Sequence, residues 1–162
     1  MRPSIQETML RVACVLAERA TCAKKKCGCV MTDAKGRILA ATYNGPPRGE
    51  PHCNETGPYS RGPGYATEQI LLHPCAGYGA PSGSDLCEGV HAEQNALMRC
   101  KDVDDIRTVY LTHAPCWRCV KEMMNTGATA IYFLEPYKDE PQALALWSRS
   151  GRAWTHYMRT WP

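Results

Sequence analysis

Apolar positions in the first twenty residues recur at helical spacing. Ile5, Met9, Val12 and Leu16 share one face, and Ser4 with Glu7 forms an S-x-x-E start signal, so residues 4–20 are predicted to be a core-facing helix. The pattern then changes to that of strands: residues 28–33 and 37–43 flank Asp33-Ala34-Lys35-Gly36, whose glycine can take positive φ, and a hairpin is expected. From residue 44 to about 89, prolines and glycines break every periodicity, leaving at most a short helix near 66–72. A connection this long inside a compact domain is usually functional or held by something other than secondary structure. Beyond it the chain alternates: helix at 91–101, strand at 108–112, helix at 117–126 ended by Gly127, strand at 129–133, helix at about 140–150 ended by Gly151, strand at 153–157. Such alternation predicts an α/β fold in which helices cover a sheet with parallel members.

A length of 162 residues, 44% hydrophobic and 22% charged, is that of one domain spanning 1–162. A formal net charge of +3, dispersed apart from Lys24-Lys25-Lys26, is too small for a nucleic-acid footprint. No apolar run is long enough to span a membrane, and the first residues lack the pattern of a signal peptide, so a cytoplasmic location is expected. In that reducing compartment ten cysteines point to metal ligands or buried thiols rather than disulfides.

Two segments carry candidate chemistry. His91-Ala92-Glu93 opens one predicted helix, and Pro115-Cys116-Trp117-Arg118-Cys119 opens another. H-x-E followed by P-C-x-x-C is the signature of zinc deaminases. His91, Cys116 and Cys119 supply one imidazole and two thiolates, three ligands that leave a fourth position for water. A helix N-terminus favours the thiolate form through its dipole and free amides. Glu93, close to the metal without binding it, is suited to move protons between the activated water, a ring nitrogen and departing ammonia. A C-x-x-C alone is as compatible with a structural zinc knuckle or a redox pair, but neither explains His91 and Glu93.

With these motifs in hand, the chain resembles the deoxycytidine monophosphate (dCMP) deaminase family of the cytidine-deaminase-like superfamily. The likeness runs through Thr21-Cys22, Y-N-G-P-P-R-G at 43–49, His52-Cys53, Pro81-Ser82-Gly83, H-A-E-Q-N-A-L at 91–97, Y-L-T-H-A-P-C-W-R-C at 110–119 and P-Y-K-D at 136–139. It implies a three-layer α-β-α fold around a mixed five-stranded sheet. It also implies hydrolytic deamination of dCMP to dUMP and ammonia, with Glu93 as proton shuttle. Asn44 should bond a sugar hydroxyl, Tyr137 should stack on the base, and His113 should stand at the mouth of the site against the substrate. A second, structural zinc is implied, held by Cys22, Cys53, Cys75 and Cys87 and tying down the loop at about 44–90; His52 or His73 could replace one of these, or they could be unconnected buried thiols. Cys27 and Cys29 are expected to be buried thiols where the family has apolar residues, and Cys14 and Cys100 core residues of helices.

Members of this family are commonly homohexamers with dCTP and dTTP as effectors bound near G-Y-N-G. Here that segment reads Thr42-Tyr43-Asn44-Gly45, and Thr42 departs from it. For the substrate phosphate, Lys24, Lys25, Lys26, Arg48 and Arg118 are candidates among which the sequence does not choose. Three alternatives remain: a deaminase of dCTP or 5-substituted dCMP, a deaminase of bases in tRNA or single-stranded DNA, and a non-catalytic zinc-binding module.

Overall fold

The computed structural model describes residues 2–50, 52–53, 87–138 and 140–161. The chain enters as helix α1 (Ile5–Glu18), followed by strands β1 (Gly28–Thr32) and β2 (Ile38–Tyr43). After residue 87 come α2 (Ala92–Arg99), a 3₁₀ turn (Val103–Asp105), β3 (Thr108–His113), α3 (Trp117–Met124), β4 (Ala130–Glu135), α4 (Glu140–Ser148) and β5 (Ala153–His156). The expected helix near 66–72 and Pro81-Ser82-Gly83 lie outside the described residues.

The strands form one sheet in the order β2-β1-β3-β4-β5. β1 pairs antiparallel with β2 and with β3, whereas β3, β4 and β5 run parallel. Alternation along each strand divides the core in two. Met9, Leu10 and Ala13 of α1 pack on Val30, Tyr110 and Leu134 from one face. On the other face Cys29, Met31, Val109, Leu111, Ile131 and Phe133 meet α2, α3 and α4 through Ala96, Val120, Met123 and Trp147. The layers are therefore α-β-α, as expected. Among the described residues no helix is long and apolar enough to cross a membrane.

The ends of the elements correct several expectations. Ser4 Oγ accepts the Glu7 N–H, but the Glu7 carboxylate turns to Arg11 rather than back to the cap. α1 buries Met9, Leu10, Ala13 and Ala17, and Ile5 is exposed. The face is rotated because small Ala13 and Ala17 let the helix approach β1 closely. Cys14 and Cys100 are only half-buried, and Cys100 lies just beyond α2, its Sγ turned to the Asp102 carbonyl 3.5 Å away. Cys29 is fully buried, but Cys27 is half-buried and lines the main cavity.

The close approach of α1 to β1 is set at Gly28, where an added Cβ would lie 1.9 Å from the Ala13 carbonyl oxygen. Because the obstacle is backbone, Gly28→Ala is expected to cost about 3 kcal/mol through overpacking, measured as the shift of the denaturant midpoint; Gly45→Ala, whose new Cβ would meet only the Thr21 hydroxyl oxygen at 4.0 Å, is the contrasting site. An unchanged midpoint in Gly28→Ala would mean that α1 is free to move away from the sheet.

Candidate metal centre and its pocket

The C-terminal end of β3 is where the sheet changes from antiparallel to parallel pairing, and the chain there turns through Ala114 and Pro115 into α3. Clefts at such reversals are common ligand sites in α/β folds. Cys116 is the residue before α3, in extended conformation, and Cys119 lies in its first turn. His91 stands in the same position before α2, also extended, and its N–H donates to Gln94 Oε1 at 3.1 Å. Gln94 Nε2 in turn donates to Glu122 Oε1 at 3.0 Å, which ties the two helices together.

This arrangement brings three ligand atoms into one place. Cys116 Sγ and Cys119 Sγ lie 3.5 and 3.4 Å from His91 Nδ1, and all three atoms are within 4.8 Å of one another. A tetrahedral zinc with bonds of about 2.3 Å to sulfur and about 2.0 Å to nitrogen separates S and N by about 3.5 Å, so the donor set fits the ion in kind and in spacing. Without a cation the three groups share protons. The Cys116 thiol falls to about 4, held there by hydrogen bonding with Cys119 and His91. His91 rises to about 9 through its bond to Cys116, and the Cys119 thiol is pushed far up by the same Cys116 sulfur and by burial.

Glu93 is 6% exposed, on the first turn of α2, and burial raises its carboxyl above the usual range. A buried carboxyl keeps its proton to higher pH than a solvated one and can pass it to a base. It lines a cavity of about 320 Å³ together with His91, Cys116, Asn44, His113 and Tyr137. That volume suits a small molecule.

Asn44, Tyr137 and His113, expected from the sequence, thus share the cavity with the metal cluster. Asn44 is also a structural tie: its Oδ1 accepts the Cys27 N–H at 2.7 Å and its Nδ2 donates to the Lys25 carbonyl at 2.8 Å. Of the cationic candidates, Lys24 and Lys25 line the cavity, and Lys25 Nζ stands 5.0 Å above the Tyr137 ring. Arg118 lines a separate recess with Lys121, Glu122 and Asn125. Lys26 and Arg48 line neither.

Cys22, Cys53 and Cys87 are not gathered at ligand distance among the described residues, and Cys75 and His73 lie outside those residues. Their segments nevertheless approach one another: Thr21 Oγ1 is 3.3 Å from His52 Nδ1, and Gly45 pairs with Val90 as an isolated bridge.

Four supporting residues, Gln94 among them, escaped the sequence. Buried Thr42 donates its hydroxyl to the Ala92 carbonyl at 2.7 Å, and Asn95 Nδ2 donates to the Tyr43 carbonyl at 2.9 Å, fastening α2 to β2. Thr112 accepts the Gly28 N–H at 3.1 Å. Only Gln94 had a legible signal, its place three residues after a helix start.

Comparison with known proteins adds a sequence family and a set of relatives. A family model described as the cytidine and deoxycytidylate deaminase zinc-binding region matches residues 3–135. The deoxycytidylate deaminase of Mycobacterium phage D29 is 30% identical over 135 residues, covering 82% of this chain and 95% of the phage protein. The deoxycytidylate deaminase of Saccharomyces cerevisiae is 29% identical over 161 residues, covering 93% of this chain and 44% of the yeast protein. The chain spans 62% of a Bacillus subtilis relative, so the yeast and Bacillus proteins are considerably longer than the stretch matched here. Among solved structures, the dCMP deaminase of cyanophage S-TIM5 in complex with dCMP and dUMP superposes with a TM-score of 0.69 at 23% identity, over 97% of this chain and 99% of that one. At that identity the likeness is one of fold.

Proposed function

The chain belongs to the cytidine and deoxycytidylate deaminase family, and from that premise we propose that it hydrolyses dCMP to dUMP and ammonia in the cytoplasm, as one zinc-dependent domain. The observation that carries the proposal is the meeting of His91, Cys116 and Cys119 at tetrahedral spacing beside the buried carboxyl of Glu93. His91, Cys116 and Cys119 would hold the zinc, which when bound would supply Lewis-acid activation of the attacking water.

The rest of the work falls to side chains. Glu93 takes a proton from the attacking water and delivers it to the ring nitrogen next to the reacting carbon, which makes that carbon more electrophilic as the hydroxyl oxygen bonds to it. It then carries the remaining hydroxyl proton to the amino nitrogen, the carbon–nitrogen bond breaks, and ammonia leaves as the carbonyl forms. Tyr137 offers an aromatic face to the base, and Asn44 has an amide hydrogen left for a sugar oxygen after its bond to Lys25. Lys25 and Lys24, on the cavity wall, select a phosphorylated substrate. The relatives' names support dCMP over the alternatives, and the modest net charge gives no support to a polynucleotide substrate.

A second zinc held by Cys22, Cys53, Cys75 and Cys87 belongs to the same proposal, supported by the contact of Thr21 with His52 and by the bridge that holds Val90 against Gly45. A homohexamer and nucleotide effectors rest on family resemblance alone. Thr42, where the effector motif has glycine, donates its hydroxyl to the Ala92 carbonyl.

The test is to follow loss of cytosine absorbance with zinc-loaded protein on dCMP, dCTP, CMP and deoxycytidine, with a zinc count per chain. dCMP is expected to have the highest kcat/KM, and zinc to number two per chain. No turnover of dCMP would sink the reading, and a count of one would remove only the second zinc. Lys25→Ala is expected to raise KM for dCMP about 10- to 100-fold, the worth of one charged contact, with little effect on deoxycytidine. Equal losses on both substrates would rule out phosphate recognition by Lys25.

A further inference from the structure

His113 ends β3 and lines the cavity, and the groups around its ring determine which nitrogen carries the proton. Its Nδ1 is 3.1 Å from Thr112 Oγ1 and 3.6 Å from Cys27 Sγ. Thr112 is buried, and its oxygen already accepts the Gly28 N–H. A hydroxyl has a single hydrogen to donate, and among the described residues His113 Nδ1 is the only acceptor in reach of it. If Nδ1 carried the proton, the Thr112 hydrogen would be buried without an acceptor, which folded proteins avoid. The Cys27 thiol is compatible with the same answer. Burial, reinforced by Glu93, raises it to about 12, so it keeps its hydrogen and has it to offer Nδ1 as a second, weaker donor.

We propose that Thr112, backed by Cys27, holds His113 as the Nε2–H tautomer, and that this N–H donates to an oxygen of the substrate's sugar–phosphate portion. Among the described residues Nε2 has no hydrogen-bond partner, so its donor is available to the cavity. The neighbouring charges are Lys25 and Glu135, and burial together with Lys25 keeps the ring neutral by lowering its pKa. Lys25 and an imidazole N–H on one wall form a donor surface, matched to phosphoryl or hydroxyl oxygen. His113 is then a specificity-determining residue and Thr112 a positioning residue. The identity of the ligand rests on the deaminase reading; the tautomer does not.

The experiment uses zinc-loaded protein labelled with ¹⁵N at histidine, with the His113 signals assigned by their loss in His113→Gln. Long-range ¹H–¹⁵N correlations should show Nδ1 as the unprotonated nitrogen. In Thr112→Val combined with Cys27→Ala the tautomers should mix, and Thr112→Ser should restore the parent pattern. In kinetics, His113→Leu should raise KM for dCMP about tenfold with kcat within about threefold, and His113→Gln, which keeps an N–H donor, should recover most of the loss. A loss on dCMP but not on deoxycytidine assigns the acceptor to phosphate; a loss on dCMP but not on 2′,3′-dideoxycytidine monophosphate assigns it to the 3′ oxygen. A protonated Nδ1, or a tautomer unmoved in the double variant, overturns the inference even if dCMP is turned over. Equal losses on all three substrates overturn the sugar–phosphate contact. Absence of any turnover defeats the deaminase reading and leaves the tautomer standing.

Discussion

Replacing Glu93 by glutamine is expected to lower kcat on dCMP by about 10³- to 10⁴-fold while the zinc content stays at the parent value. The substitution is close to isosteric, and Glu93 is not among the three ligand atoms, so the metal cluster and the turn of α2 that carries it are undisturbed. What is lost is the capacity to gain and release a proton. That capacity is the property burial has tuned here: with its carboxyl raised above the ordinary range, Glu93 can serve as acid to the ring nitrogen and later to the leaving amine. A glutamine amide can do neither. The measurement pairs steady-state loss of cytosine absorbance with metal analysis on the same sample. Turnover within tenfold of the parent would show that the proton path runs elsewhere, whatever the metal count.

Removing a ligand should act differently, through the metal itself. Cys119→Ala is expected to reduce turnover to background and to weaken metal binding by more than about 100-fold, since even an outer partner of a metal ligand is worth about 10- to 100-fold. Cys119 is fully buried in the same core as Val120, Met123 and Ala96, so the variant should also melt at a lower temperature than the parent. A chelator should lower the melting temperature of the parent and, at this site, leave the variant unaffected. Zinc per chain should fall by one. A variant that kept the parent's zinc count and turnover would exclude Cys119 as a ligand, and with it the three-ligand centre.

The helices and strands were largely legible because their signals are local. Gly36 and Gly151, at φ +78 and +69, mark turns that the chain order alone announces. The errors have physical causes. Ile5 was placed on the buried face of α1 by periodicity, but the helix is seated by its small residues, Ala13 and Ala17, against Gly28. The helical pattern continues through Cys100 although the helix ends at Arg99, because apolar type says nothing about where a helix stops.

The amino-acid order by itself determined the chemistry of the candidate centre. H-A-E and P-C-W-R-C each lie within one helix turn, where spacing along the chain is spacing in space. It could not determine what crosses between elements. That Lys25 and not Arg118 reaches the cavity, that Thr42 fastens α2 to β2, and that Thr112 and Cys27 converge on one nitrogen of His113 were decided by sheet pairing. The register of Cys29 against Leu111 sets Gly28 opposite Thr112 and brings Cys27 to the end of β3, and register depends on the packing of both faces at once. The Gly28–Thr112 and Cys27–His113 contacts join residues more than eighty positions apart, and no local pattern encodes them.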